Sequence, residues 1–454
     1  MIQRARVRPL NNDLERRGDF VLYWMQAAQR AEDNHALEYA AGLANERGKP
    51  LVAFFGLTET FPEANERHYA FMLEGLAETA RSLENRGVRL VVRKTSPEAG
   101  AVELGRRADL AVVDRGYLRI EREWREAAAR DIGCPLIQVE TNAVVPLEQA
   151  SPKEEWAART LRPKLRRRLE EFLVPMKACR LKKDSLGMRL PSLEIADPGP
   201  VLAGLKVDRS VGRVGTFKGG TAEAKRRLDE FIDTILARYA EDRNDPNAGA
   251  VSGMSPYLHF GQVSPLFIAL RVLGSRSPVA EVYFEELIVR RELSLNFAHY
   301  NTGYDRFQGA VPPWAQATLR EHERDTREAV YSPDELEGAR TADPFWNAAQ
   351  RELVTTGTIH NYMRMYWGKR FIEWTPTAEK AFRTALHLNN KYSLDGRDPN
   401  SFAGVAWCFG RHDRAWPSRA VFGKVRSMTA SGLRRKFDIE SYVRKYEVSH
   451  GEIR

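Results

Sequence analysis

The sequence predicts an α/β domain built on a doubly wound parallel sheet, followed by a larger all-helical domain. Three observations carry the architecture. Five short apolar runs alternate with helical patterns through the first third of the chain, and strand signals nearly vanish after Thr221. Between these regions a Gly- and Pro-containing stretch, roughly Arg180 to Gly220, follows neither pattern.

The apolar runs are Phe20–Met25, Leu51–Leu57, Val88–Val92, Leu110–Asp114 and Leu136–Val139. Each is rich in Val, Ile, Leu or Phe and bounded by Gly, Pro or charge, as a strand buried on both faces should be. Helical stretches such as Asn65–Arg86 and Ile120–Arg130 separate them. Strand and helix in alternation imply crossover connections, hence a parallel sheet with helices on both faces. Neither GxGxxG nor GxxxxGK[ST] follows any strand, so no motif names a ligand for this domain. From Ser151 to about Lys177 comes a strongly basic helical stretch, RTLRPKLRRRLEEF at its centre. The expected organisation is an α/β domain over 1–180, a linker over 181–220 and a helical domain over 221–454. Loops at Asn244–Ser255 and Asp395–Asn400 interrupt the last.

A length of 454 residues suits two or three domains with substantial cores. The formal charge of +9 favours a polyanionic partner such as nucleic acid. Cys134, Cys179 and Cys408 lie far apart, which excludes a disulfide framework and a cysteine-based metal site. No metal is expected. Met1–Arg17 has no apolar core of a secretory signal, and no apolar run approaches the length of a membrane span. The expectation is a cytoplasmic monomer.

HExxH and GxSxG are absent, so metalloprotease and hydrolase templates fail. Ser252-Gly253-Met254-Ser255 precedes a Pro-led helix, where hydroxyls and free N–H groups suit phosphate oxygens; a plain helix cap reads equally well. Along Glu281–Tyr300, Val282, Glu286, Val289, Leu293, Asn296 and Tyr300 share one helical stripe. Glu286 and Asn296 are thus polar groups on an apolar face. A buried carboxyl needs a partner or a raised pKa; either a functional acid or a Glu–Arg pair across helices satisfies this. Trp367 and Trp374 are seven residues apart in one helical pattern, and with Trp346 they serve either as packing anchors or as redox relays. Gly410–Lys436 carries eight Lys/Arg, including Arg411, Arg414, Arg419, Lys424 and Arg426, against Asp413 alone. Trp416 lies inside this stretch and Trp407 just before it. Cations for phosphates beside aromatic faces for bases fit an unpaired or flipped nucleotide; a solvated basic surface is the alternative.

These strings together resemble the photolyase/cryptochrome superfamily. Ser255–Gly261 (SPYLHFG) is similar to its flavin-binding signature. Glu285–Phe297, Thr356–Trp374 and Leu388–Trp416 resemble the class II branch of cyclobutane pyrimidine dimer photolyases. The resemblance covers essentially the whole chain. It departs from class I where that class carries Asn-Asn-Gly-Gly-Trp, since Asp398-Pro399-Asn400-Ser401-Phe402 stands here.

The resemblance implies light-driven repair of UV-damaged DNA by electron transfer from reduced FAD to a flipped-out dimer. A cryptochrome-like photoreceptor without repair activity is the alternative. Tyr239 and Ser252–Ser255 would approach the pyrophosphate with Leu258 packing nearby, while Asn296, Arg364, Asp395 and Arg397 would surround ribose and ring system. Either Asn389 or Asn400 would face the flavin N5. Trp407 and Met365 would wall the dimer, and Glu286, in its protonated form, would hydrogen-bond it. Trp346, Trp367 and Trp374 would carry electrons to an oxidised flavin. An antenna chromophore of deazaflavin or folate type belongs to the same resemblance, as does a nucleoid-associated location; no motif in the α/β domain names such a chromophore.

Overall fold

The computed structural model describes residues 2–13 and 16–447. Its first domain holds a six-stranded sheet: β1 (Val7–Pro9), β2 (Phe20–Trp24), β3 (Leu51–Gly56), β4 (Arg89–Arg93), β5 (Ala108–Asp114) and β6 (Leu136–Val139). The strand order is β1-β6-β5-β2-β3-β4. Strands β2 to β6 pair in parallel, and β1 pairs antiparallel with β6. All five expected strands are present, their ends within two residues of the apolar runs. The sixth, β1, was not expected. It is a three-residue edge strand with Arg8 and Pro9 exposed, and an edge is where a proline without an N–H is tolerated.

Every side chain of β2 is buried because the strand feeds two cores. Val21 and Tyr23 point to the face covered by helices His35–Glu46 and Glu66–Glu84. Phe20, Leu22 and Trp24 point to the face covered by Pro97–Gly105 and Arg119–Asp131. Period-two alternation between two apolar faces is what produces the continuous hydrophobic run. From β2 the chain winds outward through β3 and β4, then returns to β5 and winds the other way. Adjacent β2 and β5 therefore mark the switch point, and their carboxyl ends open a crevice.

Within the stretch 181–220, expected as a linker, residues 185–193 lie along the edge strand β4. The Leu193 N–H donates to the Val92 carbonyl at 2.8 Å, and the Arg89 N–H to Ser185 Oγ at 2.8 Å. Covering an exposed strand edge in this way blocks edge-to-edge pairing. The basic helix Ala158–Phe172 packs Leu161, Leu165 and Phe172 against Leu228, Phe231 and Ile288 of the helical domain. The second helical core surrounds Trp346, Trp367, Phe371 and Phe382. No helix among the described residues is long and apolar enough to cross a membrane.

Candidate functional site

Helix Asn361–Trp374 is the backbone of the site. Arg364, on its first turn, reaches Asp395 with Nη2 3.2 Å from Oδ1. Burial acts to raise the Asp395 pKa. The Arg364 guanidinium and the hydroxyls of Ser393 and Ser255 outweigh it and hold the carboxyl below its ordinary value. Ser255 thus comes to Asp395, while Ser252 accepts from the Tyr283 hydroxyl at 3.1 Å. Tyr283 in turn packs edge-on against Tyr239, 5.5 Å between ring centres. Gly253 between them sits at φ 65°, a left-handed conformation that favours glycine, and Met254 is buried.

Asn389 and Asn400 separate clearly. Asn389 is buried; its Nδ2 donates to Ser401 Oγ, and its Oδ1 has no hydrogen-bond partner among the described residues. Asn400 is exposed and accepts from Ser294 Oγ at 2.8 Å. A buried amide oxygen without a donor is costly unless a ligand supplies one.

Glu286 departs from expectation. Residues Glu285–Arg290 form a π-helical turn, which breaks the 3.6-residue spacing on which the apolar stripe rested. It is half-buried, with Arg243 Nη1 at 2.5 Å and Arg290 Nε at 3.2 Å. In place of a carboxyl isolated on an apolar face stands a Glu with two guanidinium partners. Arg290 also lies over the Trp407 ring at 5.3 Å. Met365 meets the chain next to Trp407: its carbonyl lies 4.0 Å from the Sγ of Cys408. Both Met365 and Trp407 are half-buried.

The three tryptophans form one contiguous buried stack. Trp346 and Trp367 lie parallel, 6.3 Å apart with 5° between planes, and Trp374 meets Trp346 edge-on at 5.5 Å. Trp346 inserts between two residues that helical spacing alone had put in a row. The Trp367 Nε1–H donates to Gln350 Oε1 at 2.8 Å, which fixes the ring.

Arg414 and Arg426 flank the Trp416 ring at 5.1 and 5.2 Å, and both are exposed, as are Arg419 and Lys424. Arg419 and Gly423 exchange backbone hydrogen bonds of 2.9 and 2.8 Å, which shape the segment into a tight hairpin. Arg411 is a correction. Its guanidinium donates to the carbonyls of Ala310 and Gly309, both at 2.6 Å, and pairs with Glu154 at 3.0 Å, so its charge is spent inside the fold.

Three further residues differ from expectation. Asn296 is buried, but its amide is used up on the chain at 153–155: Oδ1 accepts from the Glu155 N–H at 2.7 Å and Nδ2 donates to the Lys153 carbonyl at 3.0 Å. Leu258 and Arg397 line a cavity between the domains instead of joining the Arg364–Asp395 group. That cavity holds about 1020 Å³ of empty space including its open mouth. Gln26 and Tyr117 after β2 and β5, Trp124, Leu258, His259 and Arg397 contribute to its wall. It therefore occupies the switch-point crevice, roofed by the helical domain. Gly261 lets the roof close: a Cβ there would overlap the Ala27 carbonyl oxygen. Glu121 in the wall is pushed up to about 6 by burial. No sequence motif marked this cavity, although the reversal of strand order could have.

Residues 21–181 match the DNA photolyase family model. A deoxyribodipyrimidine photo-lyase from Methanothermobacter thermautotrophicus is 49% identical over 447 residues, covering 98% of both chains. The chain belongs to the DNA photolyase family. The expected enzyme class, a photo-lyase, stands on that membership. An Arabidopsis thaliana deoxyribodipyrimidine photo-lyase is 39% identical, covering 93% of this chain and 88% of its own. The fold agrees with that of an archaeal photolyase from Sulfolobus tokodaii solved with two FAD molecules. That match has a TM-score of 0.73 at 18% identity and covers 95% and 91% of the two chains.

Proposed function

We propose that this family member is a class II enzyme that repairs cyclobutane pyrimidine dimers in DNA under light, with FAD held in the helical domain. One observation carries the reading. Helix Asn361–Trp374 bears Arg364 at the Asp395 bridge, Met365 against Cys408 next to Trp407, and Trp367 and Trp374 of the stack. A cofactor site, a substrate wall and an electron path thus share one rigid element.

The residues present fit FAD. The unpartnered Oδ1 of Asn389 needs a donor, and Arg364 and Asp395 offer opposite charges to a heteroaromatic ring. These three would hold the ring system, with Tyr239 and Ser252–Ser255 toward the phosphates. When bound, FAD supplies the photoexcited one-electron chemistry that splits the dimer. The protein's own work is positional. Arg414, Arg426 and Trp416 dock the strand; Trp407 and Met365 receive the extruded dimer, whose impaired stacking lowers the cost of flipping. Arg243 and Arg290 hold the Glu286 carboxyl at one place, where it can hydrogen-bond the dimer's polar edge. Trp374, Trp346 and Trp367 would provide a path for one-electron reduction of an oxidised flavin. The inter-domain cavity is suited to a second flat chromophore of deazaflavin or folate type.

The test is repair of a thymine-dimer oligonucleotide by the flavin-loaded protein under blue light, with a dark control. Light-dependent loss of dimers is expected, and Glu286→Ala should lower the rate about tenfold or more without loss of bound flavin. Flavin photochemistry without repair would overturn the reading in favour of a photoreceptor.

A further inference from the structure

The site described so far leaves the basic helix Ala158–Phe172 unused. Just before it stands Trp156, 49% exposed and the one aromatic among the large hydrophobic side chains most open to solvent in the described residues. The Arg159 guanidinium lies over its ring at 4.9 Å. Lys153, three residues before it, and Arg159 are both exposed.

The backbone beneath this indole is held from several directions. Asn296 takes the Glu155 N–H and the Lys153 carbonyl, and the Tyr300 hydroxyl donates to the Ser151 carbonyl at 2.9 Å. His412 Nδ1 contacts the Trp156 carbonyl at 2.8 Å, while the same ring meets Trp407 edge-on at 5.8 Å. Trp156 is therefore fixed relative to Trp407 through one buried histidine. The Arg162–Glu285 pair at 2.8 Å anchors the following helix beside Glu286. An indole that contributes little to a core, on a backbone fixed this firmly, has no packing explanation. Already immobile beneath, it loses little entropy on stacking against a base.

We propose that Trp156, with Arg159 and Lys153, is a second DNA-contacting platform built on a different segment from Arg414–Trp416–Arg426. The indole offers a stacking face to a base unstacked next to the extruded dimer. The two cations take the flanking phosphates, the pairing of groups that binds unpaired nucleic acid. This also gives Asn296 and His412 a role: they are positioning residues for the platform. The inference rests on the reading that damaged DNA is the partner.

The experiment measures fluorescence anisotropy of labelled dimer-bearing and undamaged duplexes in the dark, across a salt series, with the full chain. Trp156→Ala should weaken binding of the dimer duplex about tenfold with an unchanged salt slope, and Trp156→Phe should recover part of the loss. Arg159→Ala should instead lower the salt slope by about one. Melting temperatures within about 2 °C of wild type are expected for these surface changes. Wild-type preference for the dimer duplex together with unaltered Trp156→Ala and Arg159→Ala would sink the platform alone. So would a Trp156→Ala loss that Phe does not relieve. Absence of any wild-type preference would sink the proposed function itself.

Discussion

Glu292 offers the sharpest test of how the domains are joined. It lies on helix Arg291–Tyr300, one turn past the Glu286 group, and is buried. Its Oε1 accepts from the Val144 N–H at 2.6 Å and the Val145 N–H at 3.3 Å, while Oε2 has no partner among the described residues. Burial raises its pKa from 4.5 to about 8, against the opposing pull of the two N–H groups and Arg291. A folded-state value above the unfolded one means that the native protein holds the proton more tightly. Stability is then lost as pH rises from 4.5, and the loss is complete near 8. The limiting slope is about 1.4 kcal/mol per pH unit, so roughly 2–3 kcal/mol separates pH 6 from pH 8; local relaxation would reduce it. Glu292→Gln keeps an acceptor for Val144 and cannot ionise. Chemical denaturation of both proteins at pH 6 and pH 8 isolates this group, because every other titration cancels in the difference. The variant should gain on wild type by up to a few kcal/mol at the higher pH. A wild-type-minus-variant difference that stays flat between the two would refute a carboxyl kept neutral by burial.

Other outcomes follow from the site geometry. Trp367→Phe removes the bond to Gln350 and the parallel stack on Trp346, so photoreduction of oxidised flavin, followed by absorbance, should slow at least about tenfold. Repair by chemically pre-reduced protein should persist, because the relay is then bypassed. Arg411→Ala removes the donor to the Ala310 carbonyl, leaves Gly309 only its bond from Asn301, and should cost about 1–3 kcal/mol of stability by chemical denaturation. Arg414→Ala and Arg426→Ala should leave stability alone and each lower the salt slope of DNA binding by about one. Asn389→Ala should alter the rate at which reduced flavin reoxidises in air by several-fold, whereas Asn400→Ala should not.

Legibility followed whether a residue's environment is local. The five buried strands could be read because a strand between two apolar faces must be apolar throughout; β1 could not, since three edge residues carry no such demand. Trp367 and Trp374 shared a helical face by spacing, but only tertiary packing brings Trp346 between them. Asn296 was rightly read as a polar group on a buried face, yet its partners lie some 140 residues upstream. Arg411 looked like its basic neighbours until the Gly309 and Ala310 carbonyls claimed it. The inter-domain cavity was not legible as a cavity, although Leu258 and His259 of its wall lie in the SPYLHFG string, because the rest of its wall is gathered from both domains.

The loop at 393–398 shows the same limit at its finest scale. Asp395 and Arg397 are two residues apart and were expected around one ligand. Arg397 instead adopts φ 64°, and its N–H donates to Asn390 Oδ1 at 2.9 Å while its guanidinium donates to the Asn390 carbonyl at 3.0 Å. A left-handed non-glycine residue costs on the order of 1–2 kcal/mol, which those bonds offset. The turn sends Asp395 to Arg364 and Arg397 to the cavity wall. Asn390 adjoins Asn389, whose free oxygen marks the proposed flavin site. A single strained turn thus sends two residues two positions apart to different surroundings, with Asn390 holding the turn at Arg397.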